Sequence, residues 1–123
     1  MTAEPTVYVV DDEQAVRASI KFFLETIGLN VKTYGSVQDF FDDYESGKAG
    51  CLVVDVCMPN MSGPDLQKEL AARKDPIPII FITGHSDETV SEAALNSGAF
   101  AFFHKPLQSE EFVECIRKAL NRF

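Results

Sequence analysis

Short apolar runs rich in β-branched residues alternate with stretches of helical periodicity from one end of the chain to the other. Residues 6–10, 31–34, 51–55, 77–83 and 101–104 read as strands. Between them, 15–27 places Val16, Ile20, Phe23, Leu24 and Ile27 on one helical face and stops at Gly28. Ser36, with Asp39 three residues on, starts a second helix whose apolar side is Phe40, Phe41 and Tyr44. Ser62-Gly63-Pro64-Asp65 opens a third, with Leu66, Leu70 and Ala71 inward. Residues 86–97 form a fourth, ending at Gly98. Ser109 caps a fifth, lined by Phe112, Ile116, Leu120 and Phe123. Five strands alternating with five helices predict an α/β domain whose parallel sheet is covered on both faces.

The chain has 123 residues, 46% of them hydrophobic, which suits one domain over 1–123 with a real core. It ends directly after a helical pattern, so any further domain is expected outside 1–123. The net charge of -8 argues against direct nucleic-acid contact, which needs clustered Lys and Arg. Acid surplus keeps a domain soluble or, gathered on one face, attracts a cation. Cys51, Cys57 and Cys115 are odd in number and scattered. They form neither a disulfide framework nor a zinc pattern, and a reducing, cytoplasmic setting is expected. No apolar stretch suffices to span a bilayer, and no signal-peptide pattern is present.

In parallel sheets, ligands bind beyond the carboxyl ends of the strands. Asp11 and Asp12 follow the first strand, Asp55 ends the third, Thr83 ends the fourth and Lys105 follows the fifth. A carboxylate at the tip of a buried strand is costly unless it is paired. Three acids from neighbouring strands make a hard oxygen site for magnesium, with manganese as the alternative. Each piece alone has a plainer reading. Asp11-Asp12-Glu13 favours a helix N-terminus, Thr83-Gly84-His85 makes an ordinary strand-to-loop turn, and a lone lysine is usually solvated. None of these accounts for Asp55. Together the positions supply a cation site, a carboxylate, a hydroxyl and an ammonium, the parts that phosphoryl transfer needs.

The run Val9-Val10-Asp11-Asp12-Glu13, Val54-Asp55 with Met58-Pro59 and Gly63, Ile82-Thr83-Gly84, Gly98-Ala99 and Lys105-Pro106, in this order and spacing, resembles the response-regulator receiver domains of the CheY-like superfamily. Thr83-Gly84-His85 and Ser62-Gly63 resemble the FixJ-type transcriptional regulators in particular. The resemblance implies a doubly wound, flavodoxin-like sheet of strand order 2-1-3-4-5. It implies that Asp55 accepts a phosphoryl group from a sensor histidine kinase. Asp12, Asp55 and the Cys57 backbone carbonyl would hold magnesium directly, and Asp11 through water. Lys105 would contact the phosphoryl group, Thr83 would turn toward it, and Phe102 would follow as the switch aromatic. The Lys105–Pro106 bond would be cis. Cys57 and His85 would border the phosphoryl group and set its lifetime. The switching surface would comprise the helix over 86–97, the fifth strand and the last helix, and would drive dimerisation and a DNA-binding output.

Other functions share some of these parts. A free-standing CheY-like signalling domain would dock on a target instead. A haloacid-dehalogenase-like phosphatase also uses a strand-end Asp, but places a second acid two residues later, where this chain has Cys57. A flavodoxin-like cofactor binder needs a phosphate-cradling loop after the first strand, where Asp11-Asp12-Glu13 would repel a phosphate. A degenerate receiver would not need the full acidic set. The sequence therefore reads as a regulatory phosphoacceptor rather than an enzyme, with no direct nucleic-acid or membrane contact by this domain.

Overall fold

The structure is a computed structural model, and it describes residues 5–44, 50–56, 63–84, 98–105, 107 and 109–121. Expectations that fall on Cys57, Met58, Pro59, Ser62, His85, the helix over 86–97, Pro106 with its peptide bond and Phe123 lie outside the described residues. The elements are β1 (Thr6–Val10), α1 (Gln14–Thr26), β2 (Asn30–Tyr34), α2 (Val37–Asp43), β3 (Gly50–Asp55), α3 (Gly63–Ala72), β4 (Ile79–Thr83), β5 (Ala101–His104) and α4 (Glu110–Leu120). The strands form one parallel sheet in the order β2-β1-β3-β4-β5.

Side-chain alternation along the strands sorts the core into two halves. Tyr8, Val10, Leu52, Val54 and Phe81 face Val37 and Phe40 of α2 and Leu66 and Leu70 of α3. Val7, Val9, Cys51, Val53, Ile80 and Ile82 face Ile20 and Leu24 of α1 and Phe112, Ile116 and Ala119 of α4. A strand buried on both faces has no polar side to show, which is why β3 is apolar at every position from Cys51 to Val54. Each fully buried Val, Leu, Ile or Phe contributes about 1.5–3 kcal/mol. A core of this extent can carry a few buried polar groups. Among the described residues these are Asp11, Asp55 and Thr83, all at the carboxyl end of the sheet.

Local signals account for the helix boundaries. The Ser36 hydroxyl accepts from the Asp39 N–H, and the Ser109 hydroxyl from the Phe112 N–H, as N-caps do. Gly28, just past α1, has φ +87°, the left-handed value that glycine reaches without a Cβ clash. One strand starts later than its apolar run suggests: β4 begins at Ile79 rather than Ile77. The Ile77 N–H donates to Asp75 Oδ1, and Pro78 follows with no N–H to offer the ladder. Cys51 and Cys115 are free thiols. Burial pushes Cys51 up to about 12, its neighbour Cys115 adding to the effect, so it behaves as a small apolar filler.

Candidate functional site

The chain leaves β1 to build β2 on one side and returns to build β3 on the other, so the crevice of this sheet opens at the carboxyl ends of β1 and β3. Val10 pairs with Val54, which makes Asp11 and Asp55 the next residues on adjacent strands. The ladders continue just far enough to fix the rim. The Asp11 N–H donates to Tyr34 O at 3.1 Å, the Val56 N–H to Ile82 O at 3.0 Å and the Lys105 N–H to Thr83 O at 2.8 Å.

On this frame Lys105 reaches across the sheet. Its ammonium lies 2.9 Å from Asp11 Oδ2, 3.0 Å from Asp55 Oδ2 and 3.4 Å from Glu13 Oε1. Asp11 is fully buried and Asp55 is 4% exposed, so two carboxylates removed from water share one cation. Burial by itself pulls Lys105 down. The bonds and charges of Asp11 and Asp55 outweigh that and hold the ammonium above its ordinary value.

Asp11, Asp12, Glu13 and Asp55 each offer a carboxylate oxygen, and these oxygens all lie within 4.8 Å of one another. Asp11 Oδ2 is buried and accepts no hydrogen bond from the described residues. Lys105 meets it as an ion pair at 2.9 Å. A buried oxygen with an open lone pair, beside two exposed acids that retain their water, suits a hard divalent cation that keeps part of its hydration.

The structure therefore brings Asp11, Asp12, Asp55 and Lys105 to one point. Thr83 is on the same rim, 2% exposed and joined to Lys105 through the backbone. Phe102 pairs with Phe81, and Thr83 with His104. By strand alternation, Thr83, Phe102 and His104 share the face of β4 and β5 that Phe81 occupies. Phe102 is partly buried against that half of the core, and its ring meets the His104 ring edge-on at 5.6 Å. His104, at the end of β5, is exposed. The sequence reading left out Glu13 as a participant. Its signal was present in the third acid of the Asp11-Asp12-Glu13 run, but the contact with Lys105 depends on a chain reversal that no spacing shows.

A doubly wound sheet with an acidic crevice, a buried strand-end aspartate and a lysine bridging to it defines a receiver domain. Residues 7–117 match the response regulator receiver domain family, and the chain belongs to it. It is 43% identical over 117 residues to the response regulator protein TmoT of Ectopseudomonas mendocina, covering 95% of this chain and 53% of TmoT. It is 34% identical over 122 residues to the transcriptional regulatory protein FixJ of Bradyrhizobium diazoefficiens, covering 99% of this chain and 60% of FixJ. The chain spans about half the length of the curated relatives it matches. Among solved structures, the response regulator StyR superposes with TM-score 0.89 at 38% identity, covering 98% of this chain and 61% of that one. FixJ-N superposes with TM-score 0.85 at 37% identity, covering 99% and 98%. The named relatives are regulators. No helix among the described residues is long and apolar enough to cross a membrane.

Proposed function

We propose that this receiver domain accepts a phosphoryl group on Asp55 from a sensor histidine kinase and passes the change to the surface around β5. The observation that carries the reading is the single ammonium of Lys105 shared by the buried Asp11 and Asp55. An Asp55 oxygen attacks phosphorus as the bond to the donor's imidazole nitrogen breaks, and the imidazole leaves with that electron pair. The reaction needs the negative charge of carboxylate and phosphoryl oxygens screened, and Lys105 is already in place to do so. Asp12, Asp55 and the Cys57 carbonyl would hold magnesium, with Asp11 acting through water. The ion would supply charge neutralisation at the phosphoryl oxygens.

A phosphorylated Asp55 carries additional negative charge and new acceptor oxygens. The Thr83 hydroxyl turns toward them, and Phe102 moves into the space released. A local charge change thereby becomes a packing change on the face that Thr83, Phe102 and His104 share. The named regulators among the relatives favour a transcriptional output, reached through dimerisation of this face and a DNA-binding domain elsewhere in the protein. A free-standing domain docking on a target is the second reading. Cys57 and His85 would tune hydrolysis of the phosphorylated state. The protein works in the cytoplasm, where its kinase presents the phosphohistidine.

Incubation with acetyl phosphate and MgCl2, followed by rapid intact-mass analysis, tests the chemistry. Wild type gains one phosphoryl group, and Asp55→Asn gains none. Equal gain by Asp55→Asn places the modification elsewhere and overturns the reading.

A further inference from the structure

Asp11 is the most completely committed residue of the rim. Its N–H donates to Tyr34 O at 3.1 Å. Its Oδ1 accepts from the Glu13 N–H at 2.9 Å. Its carbonyl oxygen accepts from Arg17 Nη1 at 2.6 Å. Its Oδ2 accepts no hydrogen bond from the described residues, and it faces Lys105. Three contacts thus fix where the fourth atom points.

The Arg17 contact is the one a side chain supplies. Arg17 lies one turn into α1, and its own N–H donates to Glu13 O at 3.1 Å. Its half-buried guanidinium folds back along the helix to the strand end instead of reaching solvent. Glu13, at the N-cap of α1, makes no side-chain capping bond among the described residues, so the turn is held through Asp11, by its Oδ1 and its carbonyl. A charge-assisted bond is about twice as strong as a neutral one, and a guanidinium keeps its charge at every relevant pH.

Gly35, just after β2, makes this possible. A Cβ there would sit 3.3 Å from Arg17 Nη1 and 3.6 Å from Arg17 Cζ. Among the described glycines the left-handed φ values belong to Gly28 and Gly98, so Gly35 is there for room and not for backbone freedom. The guanidinium is therefore held between the carbonyl that it binds and the loop that follows Tyr34.

We propose that Arg17 is a positioning residue of the cation site, holding the acidic turn through the Asp11 carbonyl so that the Asp11 and Asp12 carboxylates meet a divalent cation in place, with Gly35 leaving room for the guanidinium. The inference rests on the magnesium site proposed above and assigns a role outside its ligands. Groups that orient ligands without touching the metal commonly matter to affinity, with losses of about 10–100-fold on mutation.

Titration calorimetry with MgCl2 alone tests it, at a temperature where urea melts show every variant folded. Arg17→Met keeps the aliphatic stem and is expected to weaken Mg2+ by about tenfold, the low end of that range. Arg17→Lys recovers part of the loss, because an ammonium can still donate to the carbonyl. Gly35→Ala crowds the guanidinium and is expected to weaken Mg2+ by about threefold, a fraction of the same effect. In the Arg17→Met background, Gly35→Ala costs no further affinity, because the group it displaces is gone. A purely structural role would lower the melting temperature and leave the Kd in place, and that result overturns the proposal. If Arg17→Met does not fold, Gly35→Ala decides alone, and an unchanged Kd overturns the proposal. A wild type that takes up no Mg2+ overturns the magnesium site itself and this inference with it. Normal uptake by both wild type and variants overturns only the role of Arg17.

Discussion

Asp55 and Lys105 meet at 3.0 Å although they come from different strands, fifty positions apart in sequence. Asp55 ends β3 and Lys105 follows β5, with β4 between them, so the lysine side chain bridges an entire strand. It also meets Asp11 at 2.9 Å. The ammonium thus serves as an internal counter-ion of the crevice, and the magnesium proposed for this site would compete with it for Asp55 and, through water, for Asp11.

Lys105→Met removes that counter-ion from the buried Asp11 and Asp55. Breaking a buried pair by deleting one partner costs about 3–5 kcal/mol, and the solvent reaching Lys105 favours the lower end. The variant is expected to be about 3 kcal/mol less stable in EDTA. Saturating MgCl2 restores part of the loss, so the Mg2+-induced rise in melting temperature is larger in Lys105→Met than in wild type. Thermal unfolding of both proteins with and without MgCl2 measures it. An equal rise in the two would mean that lysine and metal do not compete.

Alkaline pH should loosen the fold through several groups at once. Lys105 binds its proton more tightly in the folded state, because Asp11 and Asp55 overcome the opposing effect of burial. Burial raises Tyr34 and Tyr44, reinforced by the bonds they donate to Asp43 and Asp75, and burial raises Cys51. All four are raised in the folded state, so the unfolded chain releases its protons first as pH climbs. Stability is then flat through neutrality and falls from about pH 8.5 for the thiol and about pH 10 for the phenols and ammonium. Urea midpoints at pH 7, 9 and 10.5 follow this. Tyr44→Phe should flatten the steepest part of the fall, and a midpoint independent of pH would refute the scheme.

The sheet was legible because its residues are chosen by one rule. Strands buried on both faces must be apolar throughout, so β1 ends where that pattern ends, at Val10 before the acids. The convergence of Asp11, Asp12, Asp55 and Lys105 follows from parallel topology, which sends every strand's carboxyl end to one rim. Glu13 and Arg17 were not legible in the same way. Their contacts depend on side chains folding back over the β1–α1 turn, and a helical period says only which way a residue faces. Ile77 misled for another reason: its burial is real, but Pro78 withholds the N–H that a strand needs there. Cys57 and His85, read as tuning positions, lie outside the described residues.

Gly50 and Gly84 separate a glycine the fold requires from one it tolerates. A Cβ on Gly50 would lie 2.2 Å from Thr6 O, a backbone atom held in the β1–β3 ladder. Neither strand can yield without disturbing the centre of the sheet, so Gly50→Ala is expected to cost about 3 kcal/mol, at the upper end of what overpacking a core typically costs. Among the described residues a Cβ on Gly84 meets only Lys105 Cδ, at an ordinary 3.8 Å. Gly84→Ala should fold with a melting temperature close to wild type and still take up a phosphoryl group from acetyl phosphate. Equal destabilisation by the two alanines would contradict the geometry.

Glu13 decides whether the third acid is a ligand or only part of the field around the cation. Its contact with Lys105 is 3.4 Å long and its side chain is 63% exposed, so the pair adds little to stability. Glu13→Gln is therefore expected to unfold within about 0.5 kcal/mol of wild type. It nevertheless removes one of four carboxylates gathered within 4.8 Å, and Mg2+ should bind several-fold more weakly at low salt. If Glu13 acts through its field, the difference from wild type shrinks as KCl rises from about 0.01 M to about 1 M, where the screening length falls from about 30 Å to about 3 Å. If Glu13 coordinates the ion or one of its waters, the difference survives high salt. Exposure favours the first outcome: a solvated carboxylate whose contact is a lysine, and whose neighbours Asp11 and Asp55 are already buried beside the cation position, contributes charge more readily than a fixed oxygen. Calorimetric Mg2+ titrations of both proteins across that salt range give the answer, and a salt-independent difference would move Glu13 into the ligand set.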